Sequence, residues 1–137
     1  MKFARSVFLL AGIYGVVVLT PGFFVSTNSG KESTRLLHME FYYGFFGVAL
    51  TWQIVYFLIS KDPLRYRPMM LAAALAKLSF FCACMVLFYS GSLRPGGALY
   101  ASIVDACLAI LFVISFARLP AGASAWSTEQ FGPQRQP

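Results

Sequence analysis

Four long apolar runs dominate this chain and limit what it can fold into. They cover about residues 7–25, 36–60, 69–89 and 99–117, and each contains at most one Asp, Glu, Lys or Arg. A helix rises about 1.5 Å per residue and the hydrocarbon core of a bilayer is about 30 Å thick, so each run is long enough to cross. Strands would leave unpaired backbone groups in lipid, and the runs lack the alternation of a barrel. The sequence therefore predicts an all-α fold, a four-helix transmembrane bundle.

Composition supports a membrane protein. Hydrophobic residues make up 58% of the 137 residues and charged residues 12%, about half the charge of a soluble domain. The first run resembles a signal peptide, but bulky residues and Pro21 stand where a cleavage site needs small residues, so we expect a retained span. Cys82, Cys84 and Cys107 lie within apolar runs and are interpreted as packing residues. No cofactor and no metal site is predicted.

The distribution of basic residues predicts the orientation. With four crossings both termini share one side, and short connections rich in Lys and Arg stay in the cytoplasm. One side carries Lys2, Arg5, Lys61, Arg65, Arg67, Arg118 and Arg135, and the other carries Lys31, Arg35 and Arg94. We therefore expect a multi-pass protein of the cell membrane with both termini cytoplasmic, residues 1–119 forming the bundle and residues 120–137 a disordered cytoplasmic tail.

Three ionisable residues interrupt the apolar runs and form the candidate site: Glu40, Lys77 and Asp105. A charge facing lipid costs at least about 2.5 kcal/mol, so each should face the bundle. By helical rise Lys77 lies about 10 Å along the membrane normal from the two carboxylates, a gap that its stem partly spans. Three interpretations remain open: a structural polar network, a ligand-binding or catalytic pocket, and a proton or ion path.

Small residues accompany each charge along one helical face. Glu40, Gly44, Gly47 and Thr51 share a face of the second span; the third span has Ala73, Lys77 and Cys84, and the fourth has Ala101, Asp105 and Ala109. Because small residues permit close helix contact in lipid, we expect these faces to be the packing faces. Six tyrosines lie mostly near span ends, as expected of an interfacial belt: Tyr42, Tyr43, Tyr56, Tyr66, Tyr89 and Tyr100. Trp52 lies in the middle of its span and is interpreted as a packing residue.

Polar residues at the ends of the spans are interfacial candidates. His38, the only histidine of the sequence, lies beside Glu40; one histidine cannot provide bis-histidine haem ligation, and no second strong ligand is placed to complete a familiar metal site. Arg65 and Arg67 lie in a connection that Asp62 and Pro63 would hold as a tight turn. We expect these arginines to meet lipid phosphates, with a partner-docking surface as the alternative.

Certain stretches resemble known membrane proteins. The segments 38–44 and 62–68, together with Lys77, Asp105 and the pair Leu111-Phe112, look like a group of small bacterial four-helix integral membrane proteins of uncharacterised role. The layout of residues 36–117 is more distantly similar to the DoxX-like proteins and to the EXPERA group, which contains sterol isomerases and sigma-2-type receptors. The EXPERA resemblance implies a bundle pocket for lipophilic amines or sterols, with Glu40 and Asp105 as its acids.

These observations lead to two functional hypotheses. The first is a non-catalytic membrane module or accessory subunit, since nearly every residue is used to cross the bilayer and no Walker loop, dinucleotide fingerprint, metalloprotease helix or nucleophile elbow occurs. The second is a lipophilic-ligand-binding protein or isomerase that uses intramembrane carboxylates. The expected partners are the lipid bilayer and either other membrane subunits or a lipophilic small molecule. No nucleic acid is expected, because the cations lie in connections and termini.

Overall fold

A computed structural model describes residues 1–25 and 39–120, and this part of the chain is helical with no strand. The helices are α1 (Lys2–Val25), α2 (Met39–Lys61), α3 (Arg67–Tyr89) and α4 (Gly97–Ala117). All four are long and apolar enough to span a membrane. The predicted all-α four-helix bundle is therefore confirmed.

The helices extend slightly beyond the predicted spans. α1 begins at Lys2 instead of residue 7 and α3 at Arg67 instead of residue 69, because a helix continues into the polar interface where its hydrophobic span has ended. Pro68 lies in the first turn of α3, where its missing N–H costs no hydrogen bond. Pro21 lies inside α1, and the helix continues past it to Val25. The predicted start of the second span at 36–38 and the predicted tail at 121–137 lie outside the described residues.

The bundle consists of two closely packed hairpins. α1 packs along α2 and α3 packs along α4, whereas α1 with α4 and α2 with α3 make smaller contacts. The hairpins meet at the end of the bundle that carries residue 1, the connection 62–66 and residues 118–120. There Phe8, Tyr56 and Phe112 form an aromatic core; the ring centroids of Phe8 and Phe112 are 4.2 Å apart and those of Tyr56 and Phe112 are 5.2 Å apart. All three are at most 1% exposed.

Glycines of α1 leave space into which side chains of α2 pack. A Cβ at Gly12 would lie 2.8 Å from the Phe57 ring, and one at Gly15 would overlap the Gln53 amide. Further along the seam, the Tyr42 hydroxyl donates a 2.6 Å hydrogen bond to the carbonyl of Gly22. Close approach of the two helices therefore depends on small residues of α1, as helix packing in lipid favours.

The predicted packing face of α2 is wrong. Gly44 and Thr51 are exposed, and a Cβ at Gly44 or Gly47 would have no neighbour within 4 Å. The reason is that α2 packs through two larger residues: Gln53 lies against Gly15, and Tyr56 packs on Phe8 and Phe112. The small-residue face instead lines a groove of about 400 Å³ together with Val48, Trp52 and Val55. The faces predicted on α3 and α4 do pack, since Ala73, Lys77, Cys84 and Ala109 are buried.

Candidate intramembrane polar site

An ion pair joins α3 and α4 inside the apolar region. The ammonium nitrogen Nζ of Lys77 lies 2.6 Å from Oδ1 of Asp105 and donates a hydrogen bond to it. The side chains are only 11% and 13% exposed. By helical rise, Lys77 lies roughly 15 Å and Asp105 roughly 18 Å from the end that carries the 62–66 connection. The two charges therefore lie at similar depths near the middle of the bundle. Their separation along the membrane normal is smaller than the separation of about 10 Å expected from the sequence.

Tyr56 adds an aromatic wall to this ion pair. Its ring centroid lies 5.9 Å from Nζ of Lys77, at the outer limit of a cation–π contact. The same ring packs against Phe112, so the ion pair borders the aromatic core. The interfacial role expected for Tyr56 is wrong, because the residue is 1% exposed. A signal was present in the sequence: Trp52, Tyr56 and Ile59 recur at the i, i+4, i+7 spacing of a buried helical face.

Glu40 lies apart from the ion pair. It is the second residue of α2 and is exposed. Because α2 and α3 run in opposite directions, helical rise separates the levels of Glu40 and Lys77 by roughly 16 Å, which is more than a lysine side chain can reach. The structure therefore brings together two of the three predicted cluster residues. His38, its predicted interfacial neighbour, lies outside the described residues.

The two predicted interfacial arginines occupy the connection between α2 and α3. The backbone N–H of Arg65 donates to Oδ1 of Asp62 at 3.3 Å, which holds the turn, and the Arg65 side chain is exposed. The Arg67 guanidinium lies over the Phe116 ring, 3.9 Å from its centroid, and Nε donates to the Phe116 carbonyl at 3.4 Å. Arg67 thereby ties the start of α3 to the last turn of α4, where a cation is favourable.

Gln53 is a buried polar residue that sequence reasoning missed. It is 2% exposed and faces the Gly15 backbone across the α1–α2 seam. Its Nε2 donates to the Ala49 carbonyl at 2.6 Å, whereas Oε1 has no hydrogen-bond partner among residues 1–25 and 39–120. An amide inside an apolar run of α2 carried no distinguishing pattern, since only its position against Gly15 makes it a seam residue.

The groove on α2 and the ion pair are separate features. None of Glu40, Lys77 and Asp105 lines the groove, whose walls are six residues of α2. Within residues 1–25 and 39–120, no group of three or more His, Cys, Asp or Glu side chains is placed to hold a metal ion.

The fold and this site together define a class of protein: a multi-pass, all-α membrane protein with a buried ion pair between its third and fourth spans. No family model matches the chain, and no curated protein and no solved structure matches it either. The class therefore rests on the helices and their packing alone.

Proposed function

We propose that this chain is a non-catalytic membrane module, working as an accessory subunit or a stand-alone bundle, in which the Lys77–Asp105 ion pair is a structural tie between α3 and α4. The observation that carries the proposal is the direct 2.6 Å contact between two largely buried side chains. The ammonium of Lys77 and the carboxylate of Asp105 neutralise each other, so neither group is available to bind a ligand or to transfer a proton to it. A carboxylate that acts as an acid or base needs space for a substrate beside it, whereas Oδ1 of Asp105 has the Lys77 ammonium at 2.6 Å.

The surroundings of the ion pair support a structural role. Lys77 meets Asp105 on one side and the Tyr56 ring on another. Tyr56 in turn packs on Phe112 of α4, so the pair is continuous with the core that joins the two hairpins. A polar link at this place specifies which helices become neighbours, which apolar contacts in lipid specify poorly.

The alternative is a pocket for a lipophilic amine or sterol, as the EXPERA resemblance implies. That hypothesis needs Asp105 as a free acid beside a cavity. Two observations argue against this hypothesis. Asp105 is paired with Lys77, and neither residue lines the groove on α2.

We also propose that the protein lies in the cell membrane with both termini and the 62–66 connection in the cytoplasm. Basic residues cluster at that end of the bundle, and the positive-inside rule supports this orientation. After Cys82, Cys84 and Cys107 are replaced by Ala or Ser, single cysteines at residues 64 and 95 can be labelled in intact cells with an impermeant maleimide. Labelling at 95 and protection at 64 is expected, and the reverse pattern would contradict the orientation.

The structural role is tested with Lys77→Met and Asp105→Asn, singly and together, in the full chain purified in mild detergent. A structural tie predicts that the double variant regains the helicity and native mass lost in the singles, because no charge is stranded. A ligand site predicts folded single variants, with binding of radiolabelled sterol or amine lost in all three. Turnover of a soluble metabolite by a stable monomer would refute the non-catalytic module.

A further inference from the structure

One end of the bundle carries a strong excess of positive charge. We call it the basic end; it comprises residues 1–5, 61–67 and 116–120. It contains six basic residues and one acidic residue, Asp62; the basic residues are Lys2, Arg5, Lys61, Arg65, Arg67 and Arg118. At the opposite end, the described residues carry one cation and one anion, Arg94 and Glu40. The charge is therefore concentrated on one face of the molecule.

These cations are not neutralised within the described part of the chain. The ion pair found there is Lys77–Asp105, which lies inside the apolar region. The carboxylate of Asp62 accepts the backbone N–H of Arg65. The basic end therefore needs anions from its surroundings to balance its charge.

Helix termini of both polarities lie at the basic end. α1 and α3 both begin at the basic end, and neither has an acidic residue in its first turn. Lys2 and Arg5 occupy the start of α1 and Arg67 the start of α3, and the first residues of α3 have no side-chain cap. The N-terminal ends of α1 and α3 favour an anion, whereas the C-terminal ends of α2 and α4 at the same end of the bundle favour cations, so the basic side chains and not the helix dipoles set the positive potential.

Two arginines are ordered by aromatic rings. Arg67 lies over Phe116, and the Arg118 guanidinium lies 4.7 Å from the centroid of Phe3. A guanidinium that stacks through its face keeps N–H donors along its edge for a phosphate. Both residues lie within a turn of a helix end, which is the depth of lipid phosphates.

From this geometry we propose that the basic end is a docking surface for the phosphate groups of anionic phospholipids in the adjoining leaflet. We name lipid as the ligand because the cations surround the ends of membrane-spanning helices, where lipid headgroups lie. Lys61 and Arg65 contribute exposed positive charge. Arg67 and Arg118 contribute guanidinium groups that are held in place by aromatic rings and whose N–H donors can bind a phosphate. This proposal does not depend on the role of Lys77 and Asp105.

The test measures lipid binding to the full chain in detergent by native mass spectrometry, with phosphatidylglycerol and phosphatidylcholine as probes of matched acyl chains. Wild type is expected to prefer phosphatidylglycerol, and Lys61→Gln with Arg65→Gln should lower that affinity about five-fold per cation removed. Phosphatidylcholine binding should not change. Both substituted residues are exposed, so the bundle is retained, and far-UV circular dichroism checks this.

Arg94→Gln is the matched control, because it removes an exposed cation from the opposite end. It should leave the phosphatidylglycerol affinity within two-fold of wild type, about 0.4 kcal/mol. Equal affinity of wild type for the two lipids, or an equal loss in Arg94→Gln, would overturn the proposal. So would tighter binding of a single-stranded oligonucleotide, or complete displacement of the lipid by millimolar inorganic phosphate, since either shows a site for another anion.

Discussion

Removing one partner of the Lys77–Asp105 ion pair should destabilise the bundle by an amount that the structure allows us to estimate. Lys77→Met keeps the shape of the side chain and strands the Asp105 carboxylate, whose side chain is 13% exposed. A broken buried ion pair costs about 3 kcal/mol or more, and a charge at the centre of a span costs a similar amount. Asp105→Asn should cost less, about 2 kcal/mol, because the amide oxygen still accepts the Nζ hydrogen bond.

The double variant leaves no charge in the span. It should therefore be more stable than the sum of the single losses predicts, with a coupling of about 2 kcal/mol. The assay is unfolding in mixed detergent and dodecyl sulfate micelles, followed by far-UV circular dichroism. Pairing Lys77→Met with Thr51→Ala gives a control cycle, because Thr51 lies on the open groove of α2.

Additivity to within about 0.5 kcal/mol in the Lys77–Asp105 cycle would refute the structural interpretation. A coupling of the same size in the control cycle would also refute it, since the energy would then reflect general loosening of the bundle.

Four further changes can be measured in the same unfolding assay. Gly15→Ala should destabilise by about 1–3 kcal/mol because the methyl overlaps the Gln53 amide, whereas Gly44→Ala, with open space around it, should be neutral or stabilise by up to about 1 kcal/mol. Phe112→Ala should cost about 2 kcal/mol, from roughly 100 Å³ of cavity at about 24 cal/mol per Å³. Tyr42→Phe should cost about 1 kcal/mol through loss of its hydrogen bond to α1. Equal effects of the two glycine changes, or none from the other two, would contradict the packing described.

The charged residues of the candidate site were found from the sequence because a charge in an apolar run is conspicuous. The sequence did not show which carboxylate pairs with Lys77, because Glu40 and Asp105 have similar predicted depths and lie on two helices that could each pack against α3. The hairpin of α3 and α4 decides the choice, because it brings Asp105 to Lys77 and leaves Glu40 at the exposed start of α2.

The number, type and approximate limits of the helices follow from the sequence alone, because a bilayer demands apolar runs of a minimum length with internally satisfied backbone groups. The lateral arrangement does not follow from it. In lipid every face of such a helix is apolar, so hydrophobicity cannot mark the packing side. Steric fit marks it instead: Gly15 leaves space for Gln53, whereas the equally small Gly44 has no side chain against it among the described residues. Only the tertiary structure brings these surfaces together, and it thereby also decides that Tyr56 belongs to the core and not to the interface.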